Sequence, residues 1–329
     1  MGRLTGGGIT RRTLAALPLA ALPLAGTARA QEAWPSRPIR IVVPYSPGGG
    51  TDLVTRSLAE AARAALGQPV LVENRPGANG VVGSEAVARA EPDGYLLLVV
   101  TSGHVPLRYT VPNLPFHPVR DFTSVALLSR FPVVLVASTA APFADAAGML
   151  AYARANPGRL SYGTTTAANS FAAQDFARQA GLVMTEVPYR GAGPMLPDVM
   201  AGHLSLAWAS PESARAQMGS GRLRIIGHAN AQPSVLLPGV PSLAQVAGLP
   251  GFDHPGWYGM FAPPKLPEAI RQRLAAAIAG AAAPPAMQAR LHEMGMDGVV
   301  EPPERFAALL ERDDARWAAA AAQGLLRGG

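Results

Sequence analysis

The turn Tyr45-Ser46-Pro47-Gly48-Gly49-Gly50 offers backbone N–H groups and hydroxyls to an anion, but no nucleophile, base or metal ligand. Its glycines precede a helical stretch with Asp52 in the first turn, so a ligand can approach the free N–H groups at the positive end of that helix. A second turn, Thr164-Thr165-Thr166-Ala167-Ala168-Asn169-Ser170, is dense in hydroxyls at another helix start. One such residue suffices for a cap, and the rest exceed that need. Two further turns stand in the same place after apolar runs: Thr101-Ser102-Gly103-His104, and Pro188-Tyr189-Arg190-Gly191-Ala192-Gly193-Pro194. Taken singly, each is also how any α/β chain changes direction. Taken together, they point to a site that holds a negative charge without transforming it.

Other chemistries lack their residues. A P-loop needs Gly-Lys-Ser/Thr at its end, whereas Gly50-Thr51-Asp52 puts an acid where the lysine belongs. A dinucleotide fingerprint needs a third glycine where Leu53 stands. His104, His117, His203, His228, His254 and His292 show no metal-ligand spacing and read as surface or capping residues, with His104 alone in a candidate site turn. No Gly-x-Ser-x-Gly elbow supplies an esterase nucleophile, and the single lysine, Lys265, lies between prolines away from the site turns. No catalytic residue, metal or cofactor is expected.

The elements that must position these turns follow from hydrophobic spacing. Apolar runs over 39–43, 70–72, 95–100, 133–137, 160–162, 204–208, 223–227 and 258–262 read as strands. Helical spacing is predicted over 51–66, 84–90, 144–155, 171–180, 195–201, 267–282, 285–294 and 303–322. The alternation predicts an α/β fold with parallel sheets, and turns beyond the carboxyl ends of parallel strands gather on one edge. Residues 105–120, with four prolines, are expected to be irregular.

Composition narrows the class. Of 329 residues, 49% are hydrophobic and 15% charged, which suits a packed soluble core. The net charge of +6 suggests nucleic acid, but removing Arg3, Arg11, Arg12 and Arg29 of the first thirty residues takes +6 to +2. No basic stripe remains, so no nucleic-acid partner is expected. Those thirty residues read as an export signal: Arg11-Arg12, an apolar stretch over 14–25 interrupted by Pro18 and Pro23, and Ala28-Arg29-Ala30 ahead of a cut after Ala30. The paired arginines resemble a twin-arginine leader, with ordinary secretion left open. The chain has no cysteine, so an exported protein of this sequence relies on its core rather than on disulfides.

Many separate segments, in order, resemble the Bordetella uptake (Bug) receptors, the extracytoplasmic solute receptors of tripartite tricarboxylate transporters. They include Trp34-Pro-Ser-Arg-Pro, Pro47-Gly-Gly-Gly-Thr-Asp52, Glu73-Asn-Arg-Pro-Gly-Ala78, Pro92-Asp-Gly-Tyr95, Val187-Pro-Tyr-Arg-Gly191 and Trp257-Tyr-Gly-Met-Phe-Ala-Pro263. The resemblance implies a type II periplasmic binding protein: two parallel-sheet α/β lobes with a hinge and a central cleft. It places lobe 1 at 32–131 and 252–329 and lobe 2 at 132–251. It further implies a monomer in the periplasm that binds a small organic acid and meets the large and small membrane subunits of a transporter. Carried onto this chain, the site residues are Tyr45, Ser46, Pro47, Gly48, Gly49, Gly50, Asp52, Thr101, Ser102, Thr164, Thr165, Thr166, Asn169, Ser170 and Tyr189. Departures from the family pattern are Phe171 where a histidine is usual, and Ser205 and Ala209 where acids are usual. These favour a plain mono- or dicarboxylate over an amino acid. A solute sensor without a transporter and an exported hydrolase are the alternatives, separable by neighbouring genes and by turnover of acyl or amide substrates.

Overall fold

The computed structural model describes residues 34–324 together with Gly2 and Leu326. The chain divides into residues 1–33 and 34–329, and the fold described below belongs to the second unit. The export-signal reading falls on residues that, Gly2 apart, lie outside the described ones.

The described residues form two α/β lobes, each built on a five-stranded sheet. The strands are β1 (Ile39–Val43), β2 (Val70–Asn74), β3 (Leu96–Thr101), β4 (Thr123–Pro132), β5 (Val134–Ser138), β6 (Ser161–Thr164), β7 (Thr185–Pro188), β8 (Leu206–Ala209), β9 (Leu223–His228) and β10 (Pro255–Ala262). The first sheet has the order β2-β1-β3-β10-β4, the second β7-β6-β8-β5-β9. The helices are α1 (Gly50–Leu66), α2 (Val81–Ala88), α3 (Leu107–Thr110), α4 (Ala146–Ala155), α5 (Ala167–Ala180), α6 (Ala192–Ala201), α7 (Pro211–Met218), α8 (Leu243–Ala247), α9 (Glu268–Ala282), α10 (Pro285–Glu293) and α11 (Pro303–Ala322).

The sheets are mixed, which corrects the expectation of parallel ones. Strands β2, β1 and β3 run parallel, as do β7, β6 and β8, but β10 is antiparallel to β3 and β4, and β5 is antiparallel to β8 and β9. The reversed strands flank the crossings between lobes. Only Val133 separates β4 from β5, and β10 begins three residues after Phe252, which packs on Trp208 of β8. A strand that enters a sheet from a crossing needs no helical return and can pair antiparallel, a direction that hydrophobic periodicity does not encode.

Strands β4 and β7 are absent from the sequence reading. Both lie at sheet edges, where one side of the ladder is open and proline is tolerated. The polar groups of β4 are satisfied: Ser129 Oγ donates to Asp297 Oδ1 at 3.1 Å, and the Arg130 N–H donates to the same oxygen at 2.9 Å. Within 105–120, the one-turn α3 interrupts the expected irregular segment.

Helix α1 shows how the first site turn is held. Val54, Leu58, Ala62 and Leu66 repeat every four residues on its buried face. Gly67 ends it in the left-handed conformation at φ 68° and donates its N–H to Arg63 O. Helix α5 starts at Thr166, whose side chain accepts from the Asn169 N–H, and stops at Gly181, φ 66°. Asp175 on α5 ties this helix to the chain entering β10. It accepts from His254 Nε2 at 2.9 Å, Gln179 Nε2 at 2.8 Å and Arg178 Nη2 at 2.6 Å. Burial alone would raise the Asp175 carboxyl, but those hydrogen bonds outweigh it and hold the group down at about 2.

A carboxyl depressed in the folded state contributes stability above its unfolded value that is lost as pH falls through its folded value. Asp175→Asn therefore lowers unfolding free energy at pH 7 by about 1–2 kcal/mol, discounted for screening at the exposed Arg178. The difference closes between about pH 4 and pH 2, as urea denaturation across that range will read.

Candidate functional site

Five connections meet where the lobes face each other, and each follows the carboxyl end of a parallel strand: β1, β3, β6, β7 and β8. They enclose a cavity of about 40 Å³. Tyr45, Gly49, Gly50 and Thr51 line it from the first lobe with Thr101, Phe131 and Tyr258; Thr165, Thr166, Asn169, Gly191, Ala192, Ala209, Ser210 and Ser213 line it from the second. Every polar side chain in this wall is a hydroxyl or an amide, and none carries a charge. Such a space exceeds the roughly 10–15 Å³ that one water requires.

The turn before α1 is built by a network behind the cavity. Gly49 caps α1 without a side-chain hydrogen bond, which leaves the helix's positive end to the cavity. Asp52 turns away from it. Its Oδ2 accepts from the Gly48 N–H at 3.0 Å, and its Oδ1 accepts from Arg56 Nε at 2.9 Å and Asn74 Nδ2 at 3.0 Å. The Asn74 amide also donates to Tyr45 O at 3.1 Å. Burial of Asp52 works to raise its carboxyl, yet the donors from Arg56, Gly48 and Asn74 prevail and lower it. Asp52 thus fixes the turn's shape. Asn74 and Arg56 share that task and have no counterpart in the sequence reading.

The lobes are closed on one another. Ser46 Oγ donates to Arg190 O across the cleft at 3.5 Å. A Cβ at Gly103 would lie 2.6 Å from Thr166 Cβ, and one at Gly191 would lie 2.9 Å from Ser46 Cβ. A Cβ at Gly50 would overlap the Glu212 carboxyl, the Tyr258 hydroxyl and Ser210 Oγ. The absence of side chains on these glycines leaves room for Thr166, Ser46, Glu212 and Ser210 to approach from the opposite lobe.

The sequence-derived residues divide accordingly. Tyr45, Gly49, Gly50, Thr101, Thr165, Thr166 and Asn169 come together around the cavity. Ser46, Pro47 and Gly48 lie outside it, with Pro47 and Gly48 exposed at the rim. Ser102 is buried beside Thr101 and does not line the cavity. Thr164 and Ser170 face a separate chamber of about 400 Å³, on the other side of Thr165 and Thr166. There Thr164 Oγ1 donates to Glu186 Oε1 at 2.6 Å and Gln174 Nε2 to Glu186 Oε2 at 2.8 Å. Tyr189 donates its hydroxyl to Asp198 Oδ2 at 2.6 Å and sits away from both spaces. His104 is a core residue, not a surface or capping one. Its Nε2 lies 3.0 Å from Pro118 O among Phe116, Phe122 and Phe261, and burial pushes its imidazole down to about 4.

Sequence reasoning missed the contribution of α7. Ser210, Ser213 and Tyr258 line the cavity, with Ser210 Oγ 2.9 Å from Ser213 Oγ. Glu212 lies directly behind them, 1% exposed, and accepts a short hydrogen bond from Tyr258. Burial raises the Glu212 carboxyl to about 7, against hydrogen bonds from Ser210, Tyr258 and its own N–H. Burial, with the Glu212 charge beside it, likewise raises the Tyr258 phenol well above its ordinary value, and burial raises that of Tyr45. The overlooked signal was Ser210-Pro211-Glu212: a cap residue, proline at the first helical position and an acid in the first turn.

Residues 54–323 match the family described as Tripartite tricarboxylate transporter family receptor, TctC. The chain belongs to this family. A relative from Pseudomonas sp. (strain P51), the UPF0065 protein in the tcbD-tcbE intergenic region, is 36% identical over 309 residues, 93% of this chain and 92% of that protein. BugT of Bordetella pertussis is 29% identical over 300 residues, covering 87% and 89%. Among solved structures, MatC from Rhodopseudomonas palustris with bound malate superposes with a TM-score of 0.80 at 31% identity, over 87% of this chain and 99% of MatC. A second R. palustris protein, solved with adipate, gives 0.82 at 28% identity over 89% and 98%. The TctC family is one of solute-binding receptors, and this member has their two-lobed periplasmic binding protein fold.

Proposed function

We propose that this TctC-family receptor binds a small mono- or dicarboxylate in the closed cavity and delivers it, in the periplasm, to the large and small membrane subunits of a tripartite uptake system. It acts as a monomer without catalysis, after export through a twin-arginine-like leader cut after Ala30. Lobe 1 comprises 32–131 and 252–329, lobe 2 132–251. The observation that carries this reading is the cavity wall of backbone and hydroxyl groups against the uncapped start of α1, joined by Thr166 at the start of α5. Malate and adipate in the related structures fit the same ligand class.

Magnitudes suffice without a cation. Hydrogen bonds to a charged acceptor contribute about 1.5–3 kcal/mol each, and a helix end about 0.3–1 kcal/mol. Four such bonds with two helix ends amount to about 7–14 kcal/mol before the ordering cost, the scale on which micromolar binding at ~8 kcal/mol lies. A thermal-shift screen of mono-, di- and tricarboxylates, amino acids and aromatic acids tests the class. At about a hundred times Kd, the bound acid raises the melting temperature by about 5 °C or more. Failure of every acid to do so overturns the reading. Thr165→Val lowers affinity about tenfold by titration calorimetry, with the ligand-free melting temperature retained.

A further inference from the structure

Glu212 belongs to α7 in the second lobe, yet its carboxyl is enclosed by the first. Tyr258 of β10 donates to Oε1, and the backbone of Gly50 at the start of α1 lies against the same oxygen. Oε2 is buried and has no hydrogen-bond partner among the described residues. The groups that face the carboxyl offer little charge. From β10 there is the Tyr258 phenol, with Tyr45 next to it, both held neutral by burial. From α1, Asp52 is the nearby acid, and its oxygens are committed to Gly48, Arg56 and Asn74. On α7 itself stand the hydroxyls of Ser210 and Ser213 and, farther along, Arg215, whose guanidinium donates to the carbonyls of Leu236 at 2.9 Å, His292 at 3.0 Å and Glu293.

An ionised carboxylate enclosed in this way, with one oxygen unpaired, is penalised by lost hydration. When the lobes separate, Tyr258 and Gly50 withdraw, and the carboxyl returns to water in the first turn of α7, where a helix's positive end favours its charge.

We propose that Glu212 makes lobe closure proton-linked: it is ionised in the open receptor and takes one proton from solvent onto Oε2 as Tyr258 and Gly50 close over it, returning that proton on opening. Glu212 does not line the cavity, so it acts as a positioning residue for closure and not as a ligand contact. The proposal rests on the carboxylate-receptor reading only for the choice of probe.

The sign follows from the raised closed-state value. A group that binds its proton more tightly in the closed state favours closure below its open-state value, and that advantage is lost as pH rises through about 7. Affinity for an acid that stays ionised therefore falls about 30-fold from pH 5.5 to pH 8.

The test is calorimetry with malate, succinate and adipate at pH 7 in two buffers of different ionisation enthalpy, which reads the protons taken up on binding. Wild type takes up about half a proton per acid bound, and Glu212→Gln takes up none, its affinity for the fully ionised acid showing no pH dependence between 5.5 and 8. Equal proton uptake in the two proteins overturns the proposal. Should Glu212→Gln fail to fold, Tyr258→Phe serves: it removes the donor to Oε1, so uptake at pH 7 rises, and unchanged uptake overturns the proposal. If none of the three acids binds, the carboxylate reading fails, and the ligand-free protein decides. There, a closed fraction by small-angle scattering that rises from pH 8 to pH 5.5 in wild type and stays flat in Glu212→Gln supports the proposal, and the same pH response in both proteins overturns it.

Discussion

Gly50→Ala lowers affinity for the bound acid about 10- to 100-fold and leaves the ligand-free protein folded, because a single added methyl costs roughly 1–3 kcal/mol where it cannot be accommodated. Gly50 opens α1, and its backbone is not in the left-handed region, so alanine brings no conformational strain there. Space is the obstacle. The new Cβ overlaps Glu212 and Ser210, both from the second lobe, as well as Tyr258. Two of the three collisions lie across the cleft, so the molecule relieves them by staying open, and opening forfeits the ligand. The neighbouring glycines separate this cause from others. At Gly49, a Cβ meets only Ser46 O at 3.6 Å, an ordinary contact, and Gly49→Ala binds within a few-fold of wild type. At Gly48, φ is 80° with open space around it, so Gly48→Ala lowers stability by about 1–2 kcal/mol through backbone strain alone. Calorimetry and melting curves on the three variants give this ranking. Wild-type affinity in Gly50→Ala would show that closure does not use this contact.

The contrast between Gly49 and Gly50 marks how far the sequence can be read. That a glycine turn precedes a helix is local information, and Ile39, Ile41, Val54 and Leu58 announce the strand and helix around it through their spacing. Which of three consecutive glycines meets the other lobe depends on Glu212, more than 160 positions away, and no spacing rule reaches that distance. The same limit hid α7. Its buried face consists of Pro211, Glu212, Ser213 and Ala214, so burial and hydrophobicity part company there, and a search for apolar periodicity passes over it. Strand β7 escaped for a related reason: it is a half-exposed edge strand of four residues ending in Pro188. Where burial is supplied by apolar side chains, as in β3 with Leu97, Leu98, Val99 and Val100, the pattern is plain. The cavity lies where it is supplied by hydroxyls and a carboxyl.

Trp208→Ala lowers unfolding free energy by about 3–5 kcal/mol, a fall of about 10 °C in melting temperature, and is the most destabilising single change expected in the second lobe. Trp208 on β8 is fully buried, with Phe176 of α5 at 5.7 Å and Phe252 at 6.3 Å between ring centroids, so one indole joins the sheet, a site helix and the segment leading to β10. Its Nε1 has no hydrogen-bond partner among the described residues. That predicament separates shape from polarity. Trp208→Phe loses packing but also removes a buried donor that is not satisfied, so its net cost is about 1 kcal/mol. Trp257 provides the opposite case with the same atoms deleted. Its Nε1 donates to Asp313 Oδ2 at 2.7 Å in the buried first-lobe core, and Trp257→Phe strands that carboxylate oxygen, raising the cost to about 2–3 kcal/mol. Urea denaturation of both phenylalanine variants measures the gap. Equal losses would mean that the Trp208 N–H is paired after all, and that the two indoles contribute by volume alone.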